Sequence, residues 1–264
     1  MAKVWGFDLS EMHWSAFGSK EMMDPRYHLR KQRIIVYKIA MSVSLAAECT
    51  ATYSLSKYNA HQSHIESYPF PLSPTTTTSP VQATENNESL IRAAISTIVF
   101  CVFVATVFGA DFFFLLFFPR RRYPLWWHRL RSGAAVVVML GVFASAVAST
   151  VVIATQEATI YGPGVTEEVR QQLIQAYARP PLRYRSWPQN IAWAVLVWLA
   201  FVLTAASTAL LLRASAYDKR YGPEDRLEAG VAVESERERI TPAPEKTTKG
   251  RRGEVGSEKG AVGV

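Results

Sequence analysis

Four stretches of this chain are apolar over a length that matches the hydrocarbon core of a lipid bilayer: residues 34–53, 90–118, 133–155 and 191–212. A helix rises ~1.5 Å per residue, so about 20 apolar residues cross a core that is ~30 Å thick. Backbone groups in lipid must pair with one another because water is absent, and a helix meets this need within one segment. The pattern therefore predicts an all-α integral membrane protein, an antiparallel four-helix bundle over residues 34–212, in place of a soluble helical domain.

The chain on either side of the predicted bundle is polar. Residues 1–33 form an N-terminal segment, and the first apolar stretch begins only after Arg30-Lys31-Gln32-Arg33. A cleaved signal peptide would have an earlier apolar region, so we expect the first stretch to be a retained signal-anchor. Residues 213–264 combine both signs of charge with Gly, Thr and Pro and almost no aromatic residues, which predicts a disordered C-terminal tail.

The distribution of Lys and Arg predicts the orientation. Residues 1–33 carry six of them, and the loop between the first and second stretches carries only Lys57. The short loop between the second and third stretches carries five arginines: Arg120, Arg121, Arg122, Arg129 and Arg131. Because cytosolic loops are rich in Lys and Arg, we expect both termini in the cytosol, although three arginines before the fourth stretch point the other way. Plasma membrane and endomembrane both remain open.

The five arginines of the short loop have two interpretations. They can serve only as an ordinary determinant of topology. They can also bind anionic lipids of the cytosolic leaflet, where each basic residue contributes about 1 kcal/mol. A nucleic-acid partner is not expected, because the charge is tied to a membrane face.

Three ionisable side chains lie within the apolar stretches: Lys38, Glu48 and Asp111. A charge at the centre of a bilayer costs ~2.5 kcal/mol or more, so such residues pack inward, pair, or line a pathway. Lys38 and Asp111 lie at similar depths in helices expected to be adjacent and antiparallel, which predicts an ion pair. Glu48 has a poorer candidate partner, Arg92 at the outer end of the second stretch.

The polar residues of the first stretch, among them Lys38, Ser44 and Glu48, share one arc of its helix. We expect this arc to face the bundle. We interpret Glu48 and Asp111 as structural contacts inside the bundle. The alternative is that the two carboxylates line a proton or cation pathway.

The predicted outer loops contain four local patterns. Residues 73–80 are rich in Ser, Thr and Pro, which predicts an irregular segment. O-glycosylation of this segment is a hypothesis. Asn87-Glu88-Ser89 matches the acceptor pattern for N-glycosylation at Asn87. His61 and His64 form an isolated H-x-x-H pattern, which we interpret as coincidental. Residues 167–178 predict a surface helix that begins with two acidic residues.

Motifs for catalysis are absent from the sequence. It contains no C-x-x-C pair, phosphate-binding loop, zinc-ligand set or serine-centred elbow. The two cysteines, Cys49 and Cys101, both lie within apolar stretches, so they form no disulfide framework for the outer loops. We therefore expect no enzyme activity, no cofactor and no metal.

The layout over about residues 30–215 resembles the MARVEL-type four-span proteins, which have cytosolic termini, a short basic middle loop and a variable tail. The first outer loop lacks the Trp and paired-Cys signature of claudin-like proteins and the Cys-rich large loop of tetraspanins. The resemblance implies membrane organisation, trafficking or apposition. It carries over no functional residues, because no motif matches residue by residue.

The expected function is thus a non-enzymatic organiser of membrane lipids or of partner membrane proteins, including a second copy of this chain. The alternative is a small transporter or channel subunit that uses Asp111 and Glu48.

Overall fold

The chain divides into two units, Met1–Asp225 and Arg226–Val264. The computed structural model describes residues 3–4, 7–8, 12–18, 22–23, 27–67, 83–119, 121, 123–162, 165, 167–176 and 180–222. The second unit and most of the predicted tail thus lie outside the described residues.

Helices account for most of the described chain. They are α1 (Arg30–Ser67), α2 (Glu88–Phe117), α3 (Leu125–Thr155), α4 (Glu167–Ala176) and α5 (Pro188–Tyr221). Three of the four predicted apolar stretches lie within the long helices α1, α3 and α5, and the second lies within α2 except for its last residue, Phe118. All four are long and apolar enough to cross a membrane, which confirms the prediction of four apolar spanning-length helices.

The four long helices pack in a ring, in which α1 and α3 each contact both α2 and α5. Small side chains line the buried side of α1, where Ala40, Ala47 and Ala51 are inaccessible. Large apolar side chains point outward, and Val137 and Val202 are more than half exposed. Small residues at helix contacts, together with large apolar residues on the outer surface, are expected where lipid surrounds the helices.

Hydroxyl groups join α2 to α3 in the middle of the helices. The Oγ atoms of Ser96 and Ser145 lie 2.6 Å apart, and Thr97 Oγ1 lies 3.2 Å from Ser149 Oγ. Gly141 also lies at this contact, because a Cβ atom added there would overlap with the ring of Phe100. The ring of Phe100 on α2 therefore packs directly over Gly141 of α3, and any larger residue at this position would force the ring to move.

Gly141→Ala should weaken the contact between α2 and α3 by about 1–3 kcal/mol, the usual cost of overpacking. Gly133→Ala is the matched control, because a Cβ at Gly133 meets nothing within 4 Å and alanine favours a helix. We expect a lower Tm in mild detergent for Gly141→Ala alone, with recovery when Phe100→Ala is added. Equal Tm values for both glycine variants would contradict the close approach.

Short antiparallel strand pairs complete the fold. β1 (Lys3–Val4) pairs with β2 (Phe7–Asp8), and β3 (Thr84–Asn86) pairs with β4 (Thr159–Tyr161). The second pair joins the segment before α2 to the segment after α3.

The first outer loop begins later than the end of the apolar stretch near residue 53 predicts, because α1 continues to Ser67. Tyr58, His61 and Ile65 recur at helical spacing along this extension and are buried, so packing stabilises a helix outside the apolar stretch. Residues 68–82, which include the Ser/Thr/Pro-rich pattern, lie outside the described residues.

The predicted tail likewise begins later than expected. Instead of ending near residue 212, α5 continues to Tyr221, and Ala214 and Ser215 are buried in this extension. Gly222 follows with φ 90°, a backbone conformation that glycine adopts easily. The surface helix predicted over 167–178 is present as α4.

Candidate functional site

The ends of all four long helices meet around Asp111. Arg33 lies in the first turn of α1 and Asp111 near the end of α2. Arg131 lies in the second turn of α3, and Ser215 near the end of α5. The contacts among these residues place the starts of α1 and α3 beside the ends of α2 and α5.

Each carboxylate oxygen of Asp111 accepts a hydrogen bond from a different arginine. Arg33 Nη2 donates to Oδ2 at 2.7 Å, and Arg131 Nη1 donates to Oδ1 at 2.7 Å. Arg33 Nε also donates to the Tyr37 hydroxyl at 3.2 Å, and Arg131 Nη2 donates to Ser215 Oγ at 2.8 Å. The Asp111 side chain is 1% exposed, and those of Arg33 and Arg131 are 3% and 10% exposed.

This geometry makes the cluster a charge-assisted joint between helices. Hydrogen bonds between ionised groups are about twice as strong as neutral ones, and the buried carboxylate and guanidiniums compensate each other. Asp218, about one turn beyond Ser215, interacts electrostatically with both arginines. Hydrogen bonds among Arg33, Asp111, Arg131 and Ser215 therefore join all four long helices.

The predicted ion pair between Lys38 and Asp111 is wrong. Lys38 is exposed, and its Nζ lies 3.5 Å from Met22 Sδ and 5.5 Å from the centre of the Phe112 ring. Lys38 and Arg33 are five residues apart, so they point to different sides of α1. Counting residues predicts how deep a side chain lies along the helix axis. The rotation of α1 about that axis, which counting does not give, brings Arg33 to Asp111.

The polar arc that we expected to face the bundle is only partly buried. Ser44 is inaccessible, Glu48 is half-buried and Lys38 is exposed. The buried side of α1 instead follows Tyr37, Ala40 and Ser44, because small and aromatic side chains pack against α2 and α5.

Glu48 has no hydrogen bond or ion pair with the residues that the structure describes. Its charge interacts with the thiol of Cys101 on α2. Its candidate partner Arg92 bonds to Glu88 one turn earlier on the same helix. Glu48 is therefore a half-buried carboxyl group inside an apolar helix without a compensating cation among the described residues.

The five arginines expected to contact lipid separate into different environments. Arg129 is exposed, and Arg121 is half-buried with its guanidinium 5.9 Å from the centre of the Tyr123 ring. Arg131 differs from the expectation because it turns inward to Asp111. Arg120 and Arg122 lie outside the described residues.

A second buried pair lies at the opposite end of the helices. His61 Nδ1, on the extension of α1, lies 2.6 Å from Glu85 Oε2 on β3, with side-chain exposures of 4% and 0%. His61 is thus buried in this contact, whereas His64, three residues later, is exposed. Sequence reasoning missed this pair because Glu85 is distant along the chain and its strand was not predicted.

Two buried asparagines lie at the same end of the helices as His61 and Glu85. Asn87, which matches the glycosylation acceptor pattern, is 2% exposed, and its Nδ2 donates to the Tyr58 carbonyl at 3.2 Å. Asn190, at the start of α5, donates to the Tyr184 carbonyl at 2.9 Å and accepts a bond from Ser54. Burial raises the pKa of the Tyr184 phenol to about 12, so this group stays neutral at physiological pH.

No metal centre is evident in the described part of the chain, where no group of three or more His, Cys, Asp or Glu side chains could hold an ion. An open cavity of about 350 Å³ lies at the end of α3, and Arg183 on its wall faces Glu157 at 3.7 Å.

Comparison with known proteins finds no protein-family model, curated protein or solved structure that matches this chain.

Proposed function

We propose that this chain is a non-enzymatic multi-pass membrane protein of the MARVEL type that organises membrane lipids or partner proteins. The observation that carries this proposal is the closed environment of Asp111. Ionisable residues inside spans either pair within the bundle or mark a pathway, and each oxygen of Asp111 accepts a hydrogen bond from an arginine. Asp111 therefore serves as a structural joint.

The contacts around Asp111 support an antiparallel bundle. They join the starts of α1 and α3 to the ends of α2 and α5, so helices adjacent in the ring run in opposite directions. The exposed Lys31 and Arg129 lie near the starts of α1 and α3, and this positive charge favours the cytosol for that end. Anionic lipids of the cytosolic leaflet are then the nearest partners for those side chains.

The second candidate is a small transporter or channel subunit, and Glu48 is the observation that favours it. A half-buried carboxyl group in an apolar helix, with no cation among the described residues, is the kind of residue found on transport pathways. The charge of Asp111 is already compensated by Arg33 and Arg131, so the transporter alternative now depends on Glu48 alone.

The two candidates differ in the effect of Glu48→Gln on ion flux through vesicles that contain the purified full-length protein. We expect the wild type and Glu48→Gln to show the same flux as protein-free vesicles, because an organiser has no pathway. We also expect the wild type in mild detergent to elute as an oligomer or with partner proteins. A strict monomer whose flux disappears in a correctly folded Glu48→Gln variant would support the transporter instead.

A further inference from the structure

Lys38 is a cation on the outside of the helix ring with no carboxylate partner among the described residues. It lies eight residues after the start of α1, which corresponds to ~12 Å along the helix axis. Its ammonium lies beside Met22 and the Phe112 ring, at the groove between α1 and α2. A lysine at this depth extends its stem along apolar surface and places its charge at the level of the lipid headgroups.

A continuous row of four aromatic rings lies at the same end of α2. The Phe113 and Phe117 rings stack with centroids 6.0 Å apart, and Phe117 meets Phe17 edge-on at 5.6 Å. Phe17 in turn stacks with Trp14 at 5.9 Å. The row begins on the outer surface of α2, where Phe113 is 53% exposed, and ends at Trp14, which is 88% exposed.

Packing of the N-terminal segment holds Trp14 at this position. Ala16 and Met22 are 8% and 9% exposed and belong to the hydrophobic core that also contains Phe112 and Leu116. Trp14 is therefore exposed although the segment that carries it is packed against the helices. An indole ring with its polar N–H favours the boundary between headgroups and acyl chains.

We propose that Lys38 and the aromatic row formed by Phe113, Phe117, Phe17 and Trp14 bind one anionic phospholipid. The ammonium of Lys38 binds the phosphate, and an acyl chain lies along the rings. This inference rests on the membrane placement proposed above and adds the lipid class and its residues.

Two observations favour a lipid as the occupant. The aromatic row starts at Phe113 on the outer surface of α2, which also exposes Val102 and Phe103, so whatever surrounds α2 also meets this end of the row. The exposed Lys31 lies on α1 towards the same end, and this additional positive charge favours an anionic headgroup over a zwitterionic one.

The test compares lipid retention by the full-length protein after reconstitution in phosphatidylcholine vesicles with and without phosphatidylserine. Native mass spectrometry then measures the phosphatidylserine that remains bound. We expect Lys38→Gln to reduce retention about fivefold, which corresponds to about 1 kcal/mol, and Lys38→Arg to preserve it. Lys31→Gln controls for general charge, because Lys31 is also exposed on α1 but outside the proposed site, and we expect it to reduce retention less than Lys38→Gln does. Trp14→Ala should reduce retention, whereas Trp126→Ala, which removes another exposed indole, should not.

Equal retention by Lys38→Gln and Lys31→Gln would overturn the site, as would equal binding of neutral and anionic lipid. A dimer that forms through this surface without bound lipid would identify a second copy as the occupant and would also overturn it. Insertion is measured first, in phosphatidylcholine alone, by resistance to alkaline extraction. Failure to insert overturns the membrane placement together with this site, whereas insertion with unchanged lipid retention overturns only the site.

Discussion

Asp111→Asn is expected to cause the largest loss of stability among conservative changes in the four long helices. The substitution leaves Arg33 and Arg131 buried without their shared carboxylate. Removing one partner of a buried ion pair costs about 3–5 kcal/mol, because the remaining charge is uncompensated. The expected result is a sharply lower Tm in mild detergent, or loss of the monodisperse peak in size-exclusion chromatography.

The matched control for Asp111→Asn is Glu48→Gln, which removes the charge of the other carboxyl group within the apolar stretches. Because Glu48 has no cation among the described residues, we expect its neutralisation to leave Tm unchanged or to raise it. Replacing Asp111, Arg33 and Arg131 together by leucine should recover part of the lost stability, since neither guanidinium is then left buried without its carboxylate. Equal behaviour of Asp111→Asn and Glu48→Gln would show that the arginine contacts contribute nothing.

Glu85→Ala is expected to have the second largest effect, at the opposite end of the helices. It removes the carboxylate that His61 contacts at 2.6 Å and leaves a buried imidazole beside a cavity. We expect a loss of about 1–3 kcal/mol, the usual cost of removing one partner of a buried hydrogen bond. The measurement is Tm, together with amide hydrogen exchange in β3 and β4, which should become faster because β3 is no longer held to α1.

The control for Glu85→Ala is Glu88→Ala, three residues further along the chain. Glu88 also pairs with a basic residue, Arg92, but its side chain is 64% exposed. An exposed ion pair contributes less than about 1 kcal/mol, so Glu88→Ala should leave exchange in β3 and β4 unchanged. Faster exchange in both variants to the same degree would mean that the His61 contact does not secure the strands.

The structure confirms the sequence predictions that depend on composition and length. Runs of about 20 apolar residues predict helices because no other local structure satisfies the backbone in lipid. Glu167 and Glu168 followed by an amphipathic pattern were sufficient to predict α4. The depth of Asp111 near one end of its helix also followed from counting residues.

The partner of each charged residue could not be derived in the same way. Arg33 and Lys38 both lie near the start of α1, and counting residues favoured Lys38. Arg33 reaches Asp111 because tertiary packing sets the rotation of α1 and places Tyr37 and Ala40 inside. Arg131 was grouped with the surface arginines because the sequence does not show that the second turn of α3 faces the end of α2.

The sequence by itself determined four apolar helices and the presence of ionisable groups within them, since both follow from local composition and the cost of placing charge in hydrocarbon. Only the tertiary structure decided that Asp111 is compensated by Arg33 and Arg131, that His61 pairs with Glu85, and that Glu48 and Lys38 have no such partners among the described residues. The physical reason is that pairing depends on the rotation and contact of separate helices, which arise from packing over the whole bundle.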